Sequence, residues 1–555
     1  MLTLKSSYIK HKTNIYSFFK KAAAITGAVV ITACSFSACT PFGGSASRYN
    51  NADEQYNAAD NESFNAFTDS LFRELASSDS LSLHALLENP CEYGIDDYDI
   101  TLGRIDIDNI DDTSDITDYI TKLNAFDKAS LSKSQQITYD LLNKYLYTTL
   151  NYSDLYLLNT DLTPTIGIQI QLPLLFSEYT FMEKKDVEEY IQLLSDVDGY
   201  FNNLLEFEAL RSVRGYTLSD DLLDEVISSC KSIADSAGDA EGMFIGTFNS
   251  RVDDLIFLTD DEKNVYKKQN EDAVINHVIP GYNALITTLA SFKGTNQYSG
   301  GICNYPDGAR YFEGLLESCL GWSKSIDEYN DLLDSYIRSY SIVMQKLLRK
   351  DPSLNSQFGT FSFGIDKPDQ IIEDLKKKIT DDYPALNDVN YNINYVSEAL
   401  NDYASPAMYF MPQIDNLDIN SIYINSAGTD SSDLYPTLAH EGYPGHLYQT
   451  QYFASTSPSL IRNVIKPGGY IEGWASYVEV HSYEYAGDNT LLNSLVQCNY
   501  ALILCLYAKG DIGVNYYGWT EAQLSSFLTD YGFSSAEAAP VSYTHLRAHE
   551  TLANL

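Results

Sequence analysis

Apolar side chains recur at three- and four-residue spacing along most of the chain, as in Leu141, Leu142, Tyr145 and Leu146, in Tyr190, Ile191, Leu193 and Leu194, in Leu332, Leu333, Tyr336 and Ile337, and from Leu491 to Tyr507. That period gathers each group onto one stripe of a helix, so the pattern predicts a mostly α-helical protein. Two short runs depart from it. Ile166 to Leu172 and Ser421 to Asn425 are rich in residues that favour strands, and the second lies just upstream of the segment that carries the chemistry. No repeat, low-complexity tract or composition break divides 63–540, which reads as one large helical domain with a small β-sheet near its site.

The two ends read differently from this body. Lys10, Lys12, Lys20 and Lys21 precede an apolar stretch from Ala22 to Ile31, too short for a confident spanning helix, so residues 1–39 are expected to be a lipoprotein export signal. Ile31-Thr32-Ala33-Cys34 and Phe36-Ser37-Ala38-Cys39 both resemble a lipoprotein cleavage box, which makes Cys34 or Cys39 the lipid-attachment residue; Cys34 has the better aliphatic residue three positions before it. An uncleaved anchor or an ordinary signal peptide is the alternative, and each of these places the body outside the cytoplasm, anchored at the outer face of the cell membrane in the lipoprotein case. Residues 40–62, rich in Ser, Asn, Ala and Asp, read as a flexible tether. The segment 541–555 leaves the acidic, helix-patterned style of the body and reads as a non-native tail, so His549-Glu550 is not taken as chemistry.

Charge narrows the partners. A formal net charge of −40 opposes nucleic acid and anionic membrane surfaces, leaving membrane contact to the N-terminal lipid. Acidic patches such as Asp96-Asp97-Tyr98-Asp99, Asp111-Asp112 and Asp260-Asp261-Glu262 lack EF-hand ligand spacing and read as solvated faces. The 44 tyrosines read as half-buried aromatic faces with wet hydroxyls. Cys91, Cys230, Cys303, Cys319, Cys498 and Cys505 include no C-x-x-C pair, which argues against a thiolate metal site. Cys498 and Cys505 fit a helix core, and Cys303 with Cys319 could bridge a loop to the following helix.

The candidate chemistry is concentrated in His440-Glu441-Gly442-Tyr443-Pro444-Gly445-His446 and in Glu472-Gly473-Trp474-Ala475-Ser476-Tyr477-Val478-Glu479. Two imidazoles and a later carboxylate suit a zinc ligand set, and the carboxylate beside the first imidazole suits a general base. The spacing is unusual, because the histidines are six apart rather than the four of H-E-x-x-H. On a regular helix six residues give a rise of about 9 Å and a rotation of about 240°, too divergent for one ion. Pro444 cannot continue the helix, since its ring would meet the carbonyl of His440, and Gly445 accepts the backbone angles that a bulge requires. A looped-out Pro444-Gly445 would bring His446 back beside His440 and leave Glu441 facing the water. The plainer reading makes His440 a packing residue and His446 a surface residue after a turn. Against it stands scarcity: the chain has eight histidines, and two of them share this heptapeptide.

Glu472 reads as the opening of a helix whose same face carries Ala475, Ser476 and Glu479. That geometry suits a metal ligand, Glu472, backed by Glu479, which could orient a ligand histidine through its free ring nitrogen. The run Ile422, Tyr423, Ile424 and Asn425 is a candidate substrate-binding edge, on which an extended peptide would add as a strand. A purely structural hairpin is the alternative.

These runs, together with Ile166-Gly167-Ile168-Gln169-Ile170-Gln171-Leu172-Pro173, Tyr305-Pro306-Asp307-Gly308, Tyr311-Phe312, Ser405-Pro406-Ala407-Met408-Tyr409, Thr437-Leu438-Ala439 and Gly469-Tyr470-Ile471, resemble the domain-of-unknown-function-885 family of bacterial proteins from about Phe64 onward. The resemblance implies a largely helical, zinc-peptidase-like fold. It also implies a helical C-terminal segment near the site, where this sequence has its divergent tail. The expectation is a cell-surface Zn²⁺-dependent peptidase, with His440, His446 and Glu472 as ligands and Glu441 as catalytic base. A non-catalytic ligand-binding lipoprotein on the same fold, or a zinc hydrolase of another amide, are the alternatives. A pure binder has no need of Glu441.

Overall fold

Helices form where the apolar stripes predict them. Lys133–Tyr152 buries Leu142 and Leu146, Lys184–Ser195 buries Tyr190, Leu193 and Leu194, and Ile326–Lys350 buries Ile337. Their starts are written in the sequence as reciprocal caps: Ser132 with Gln135, Ser325 with Glu328 and Thr259 with Glu262 each satisfy the other's backbone amide. The acidic trio Asp260-Asp261-Glu262 is the first turn of Asp260–Ala273, where carboxylates face the positive end of the helix. The computed structural model describes residues 60–164, 167–321, 324–396, 405–426 and 434–531. The export signal, Cys34, Cys39, nearly all of the tether and the 541–555 tail lie outside them.

The described residues bury five apolar masses. Ile168–Glu178, Lys184–Ser195, Val197–Val213, Asp220–Ser236 and Ile279–Ser291 enclose the largest, centred on Tyr190, Phe201, Phe248 and Tyr282. A second gathers the N-terminal helices around Phe64 and Phe72 and takes in Ile461 and Ile465 from far along the chain. In a third, Thr490–Asn515 packs along Ile326–Lys350 and buries Cys498 and Cys505. Thr490–Asn515 is long and apolar enough to span a membrane by length and composition alone, yet here it serves as a packing helix.

One expectation is corrected here. The run expected as a strand at Ile166 to Leu172 is helical from Ile168 to Glu178, with Ile166 itself outside the described residues. Its apolar side chains are buried on several sides, and a continuous apolar run does not distinguish a buried strand from a buried helix. Pro173 inside that helix deprives the Gln169 carbonyl of its amide partner, and the Tyr282 hydroxyl donates to that carbonyl instead, at 2.7 Å. Cys303 and Cys319 do not bridge. All six cysteines of the body are free thiols, with Cys319 buried and Cys303 directed at the Val514 carbonyl.

The sheet has three strands, β1 (Asn392–Tyr395), β2 (Ala407–Phe410) and β3 (Ser421–Ile424), in the order β1-β3-β2. β3 runs parallel to β1 and antiparallel to β2. Alternation along β3 sends Ile422 and Ile424 toward Leu438 and Ala439 of Leu434–Glu441, while Tyr423 faces the large bundle and hydrogen-bonds Glu178. The expectation that Ile422, Tyr423, Ile424 and Asn425 offer a free edge to a peptide is therefore corrected. β3 is the inner strand, its ladder groups are taken on both sides, and Ile422 and Asn425 are fully buried.

One half-buried histidine ties the N-terminal helices to the bundle. The His84 ring stacks on Tyr179, with centroids 3.7 Å apart, and its Nε2 donates to the Thr180 carbonyl at 2.9 Å. Burial disfavours the imidazolium, and despite the Thr180 carbonyl the ring is held at about 4 rather than 6.5. The unfolded chain therefore binds a proton in this window that the folded chain refuses, and stability drops as the pH is lowered through it. His84 is expected to contribute fully above about pH 6.5 and to lose up to about 3 kcal/mol by pH 4. Urea unfolding of wild type and His84→Gln across pH 4–8 checks this. The difference between the two should be flat above neutrality and should narrow or reverse in acid.

Candidate metal centre

Leu434–Glu441 ends immediately after the first imidazole, and a new helix, His446–Ser455, begins at the second. The expected bulge within one helix is thus a complete break across Gly442 to Gly445. The last regular bond is Gly442 N–H to Leu438 O, at 3.0 Å, beyond which Pro444 has no amide to give. Gly445 folds directly onto the end of the first helix, where a Cβ would stand 1.7 Å from the His440 carbonyl oxygen. The Trp474 indole donates to the Pro444 carbonyl at 2.7 Å and pins the connection from the opposite helix.

That opposite helix is Gly468–Ser482, which packs along Leu434–Glu441. It starts four residues before Glu472, so Glu472 lies in its second turn rather than opening it. Three ligand-type atoms converge across the three helices. Glu472 Oε2 lies 3.5 Å from His440 Nε2 and 3.4 Å from His446 Nε2, and the two imidazole rings meet edge to face with centroids 4.7 Å apart. Glu441 brings a carboxylate oxygen to within 4.8 Å of ring nitrogens of the same two histidines. His440, Glu441, His446, Glu472 and Glu479 are all buried.

The interior of this cluster is under-satisfied. His440 Nε2 and Glu472 Oε2 are buried atoms with no hydrogen-bond partner, an arrangement that costs stability unless something occupies the space between them. The other side of the His440 ring is well held. Its Nδ1 lies 2.9 Å from Glu479 Oε2, and the other oxygen of Glu479 accepts from the Tyr500 hydroxyl at 2.5 Å. A carboxylate on Nδ1 turns Nε2 inward as the free lone pair, the orientation that a metal-binding histidine needs. The donor set and its orphaned atoms fit a divalent cation.

Electrostatics separate the two carboxylates nearest the histidines. Burial works to raise both. At Glu472 the His446 and His440 imidazoles outweigh burial and hold the carboxyl at about 2, so it is ionised whenever the protein is folded near neutrality. At Glu441 burial wins over the same imidazoles, and the carboxyl stands above its usual range. Burial disfavours the His440 imidazolium, but Glu472 and Glu479 outweigh it and raise the ring. The same imidazoles and the same burial thus push the two acids in opposite directions.

The residues expected to ligate, His440, His446 and Glu472, are brought together here, with Glu441 and Glu479 beside them. Ile422 to Asn425 lie in the sheet core behind Leu434–Glu441. Sequence reasoning missed Tyr500, which carries no local signal. It also missed the job of Trp474, although the motif around that residue is specific.

Comparison with known proteins agrees with this architecture. A family described as "Bacterial protein of unknown function (DUF885)" matches residues 108–541. A crystal structure described as that of a "putative lipoprotein" from Colwellia psychrerythraea superposes with a TM-score of 0.72 at 16% identity, covering 88% of this chain and 89% of that one. At that identity the likeness establishes the fold. No curated protein matches the chain.

The close approach at Gly445 has a direct consequence. Gly445→Ala is expected to destabilise the protein by about 1–3 kcal/mol, because the added methyl must displace the His440 carbonyl. Gly359→Ala, where a Cβ meets nothing within 4 Å, should cost little. Denaturant unfolding of both variants checks the contrast.

Proposed function

The chain belongs to the DUF885 family of bacterial proteins of unknown function, and from the geometry of its buried cluster we propose that it is a zinc-dependent peptidase. The observation that carries this reading is the convergence of His440 Nε2, His446 Nε2 and Glu472 Oε2, the first and last of which are buried atoms with no hydrogen-bond partner. In a tetrahedral zinc site with bonds of about 2.0–2.1 Å, ligand atoms lie about 3.4 Å apart. The separations here are 3.4 and 3.5 Å.

In this reading His440, His446 and Glu472 hold the ion. Bound zinc supplies Lewis-acid polarisation of the scissile carbonyl and acidifies water. Glu441 accepts the proton of the attacking water on its carboxylate and returns it to the departing amine, a task that suits a carboxyl raised above its usual range. Glu479, backed by Tyr500, fixes the plane and tautomer of the His440 ring. The Glu441 carboxylate has no hydrogen-bond partner among the described residues, which leaves its oxygens free for this exchange.

Location enters the same reading. The lysines ahead of the Ala22–Ile31 stretch, the cleavage boxes at Cys34 and Cys39, and the likeness to a structure described as a lipoprotein support an extracytoplasmic lipoprotein. A peptidase tethered there would meet peptides outside the cell membrane.

The purified protein is expected to carry equimolar zinc, measurable by mass spectrometry, and to lose it in Glu472→Ala. Glu479→Ala should bind zinc about 10- to 100-fold more weakly in chelator competition. Glu441→Gln should keep its zinc yet cleave a peptide library about 10²- to 10⁴-fold more slowly. Undiminished cleavage by Glu441→Gln would remove the base from this mechanism.

A further inference from the structure

Of the buried side-chain atoms without a hydrogen-bond partner among the described residues, three belong to one cluster: His440 Nε2, Glu472 Oε2 and Ser476 Oγ. The ligand set uses the first two and leaves the third unexplained. A buried hydroxyl with nothing to bond to costs stability, and Ser476 is only 1% exposed.

Helix geometry fixes where this hydroxyl stands. On Gly468–Ser482, Ser476 lies about 40° around the axis from Glu472 and about 60° from Glu479, roughly one turn from each. Both carboxylates reach the same ring, with Glu472 Oε2 3.5 Å from His440 Nε2 and Glu479 Oε2 2.9 Å from Nδ1. The His440 imidazole therefore spans the level that Ser476 occupies. Serines inside helices commonly give their hydroxyl to a carbonyl one turn back, as Ser482 of this same helix does to Glu479 O at 2.7 Å. Ser476 makes no such bond, so its hydroxyl is not spent on its own backbone. The tilt of every helical Cβ toward the N-terminus carries it toward Glu472.

The need for a donor arises at Glu472. In the metal-free cluster its carboxylate is held by the two imidazoles, and no other described group donates to it. Those same ring nitrogens must offer lone pairs, not protons, to a cation. Loading the site thus strips Glu472 of both donors. His440 suffers no such loss, because Glu479 keeps its other nitrogen. Ligating carboxylates are themselves hydrogen-bonded, and the buried hydroxyl within a turn of Glu472 is that of Ser476. We propose that Ser476 is a positioning residue of the metal centre, whose hydroxyl donates to the Glu472 carboxylate in the loaded site and orients that ligand, as Glu479 orients His440. The proposal deepens the zinc reading and rests on it. The competing account is spacing alone, a small side chain that leaves room for the His440 ring. Alanine would serve that purpose equally well.

The test uses the full chain and compares wild type with Ser476→Ala, Glu479→Ala and the double variant. Metal-free Ser476→Ala is expected to resist denaturant at least as well as metal-free wild type, because the substitution removes a buried hydroxyl that has no partner. Its zinc, measured by chelator competition, should bind about 10-fold more weakly, and its cobalt-loaded form should show a shifted visible absorption. Ser476→Thr, which keeps the hydroxyl, should hold zinc more tightly than Ser476→Ala. Where the extra methyl prevents folding, the alanine comparison decides alone. The effects of Ser476→Ala and Glu479→Ala on zinc affinity should multiply, since the two residues hold different ligands. Unchanged zinc affinity in Ser476→Ala would reduce the residue to a spacer and overturn the proposal. So would loss of its effect in the Glu479→Ala background, which would assign the hydroxyl to Glu479 instead. Both of those outcomes leave zinc in the wild-type site. A wild-type protein that takes up no zinc removes the peptidase reading itself, and this proposal with it.

Discussion

The site depends on the cost of burying three carboxylates around two imidazoles. Glu441, Glu472 and Glu479 are each less than a tenth exposed, as are His440 and His446. Ionised carboxylates this deep are tolerated only where positive charge or hydrogen bonds answer them. Glu479 is answered by Tyr500 and the His440 ring. Glu472 is answered in part, with one oxygen left facing two imidazole nitrogens at distances too long for good hydrogen bonds. A divalent cation is the simplest species that satisfies all three atoms at once, and the peptidase reading grows from that deficit.

The surrounding fold serves to hold this costly cluster in register. Two helices meet at the break between Glu441 and His446, a third runs beside the first, and Trp474 ties the third back to the connection. Behind them the inner strand of the sheet is apolar toward the histidine helix and polar toward the bundle, where Tyr423 meets Glu178. The ligand-bearing segment is thus clamped between a rigid sheet and a packed helix. Sites on such elements are positioned more tightly than sites on loops.

Much of this was legible in the sequence, for identifiable reasons. Helical stripes such as Tyr190, Leu193 and Leu194 have a period that only a helix satisfies, and their helices are where the stripes place them. The clustering of His440, Glu441 and His446 was readable because the proline between them cannot continue a helix and the glycine accepts the angles that a break requires. Ile166 to Leu172 misled because an apolar run buried on many sides carries no period at all. The role proposed for Ile422 to Asn425 failed because strand order is a long-range property. Nothing local in Ser421–Ile424 reveals that partners arrive on both sides. Tyr500 was invisible for the same reason, since its partner Glu479 lies on another helix.

Tyr500 stands near the middle of Thr490–Asn515, a helix that packs along Ile326–Lys350. Its hydroxyl, the Glu479 carboxylate and the His440 ring form a short mechanical linkage from that helix pair to the histidine cluster. The orientation of one imidazole is thus tied, through Glu479 and Tyr500, to a helix pair that contributes no ligand of its own.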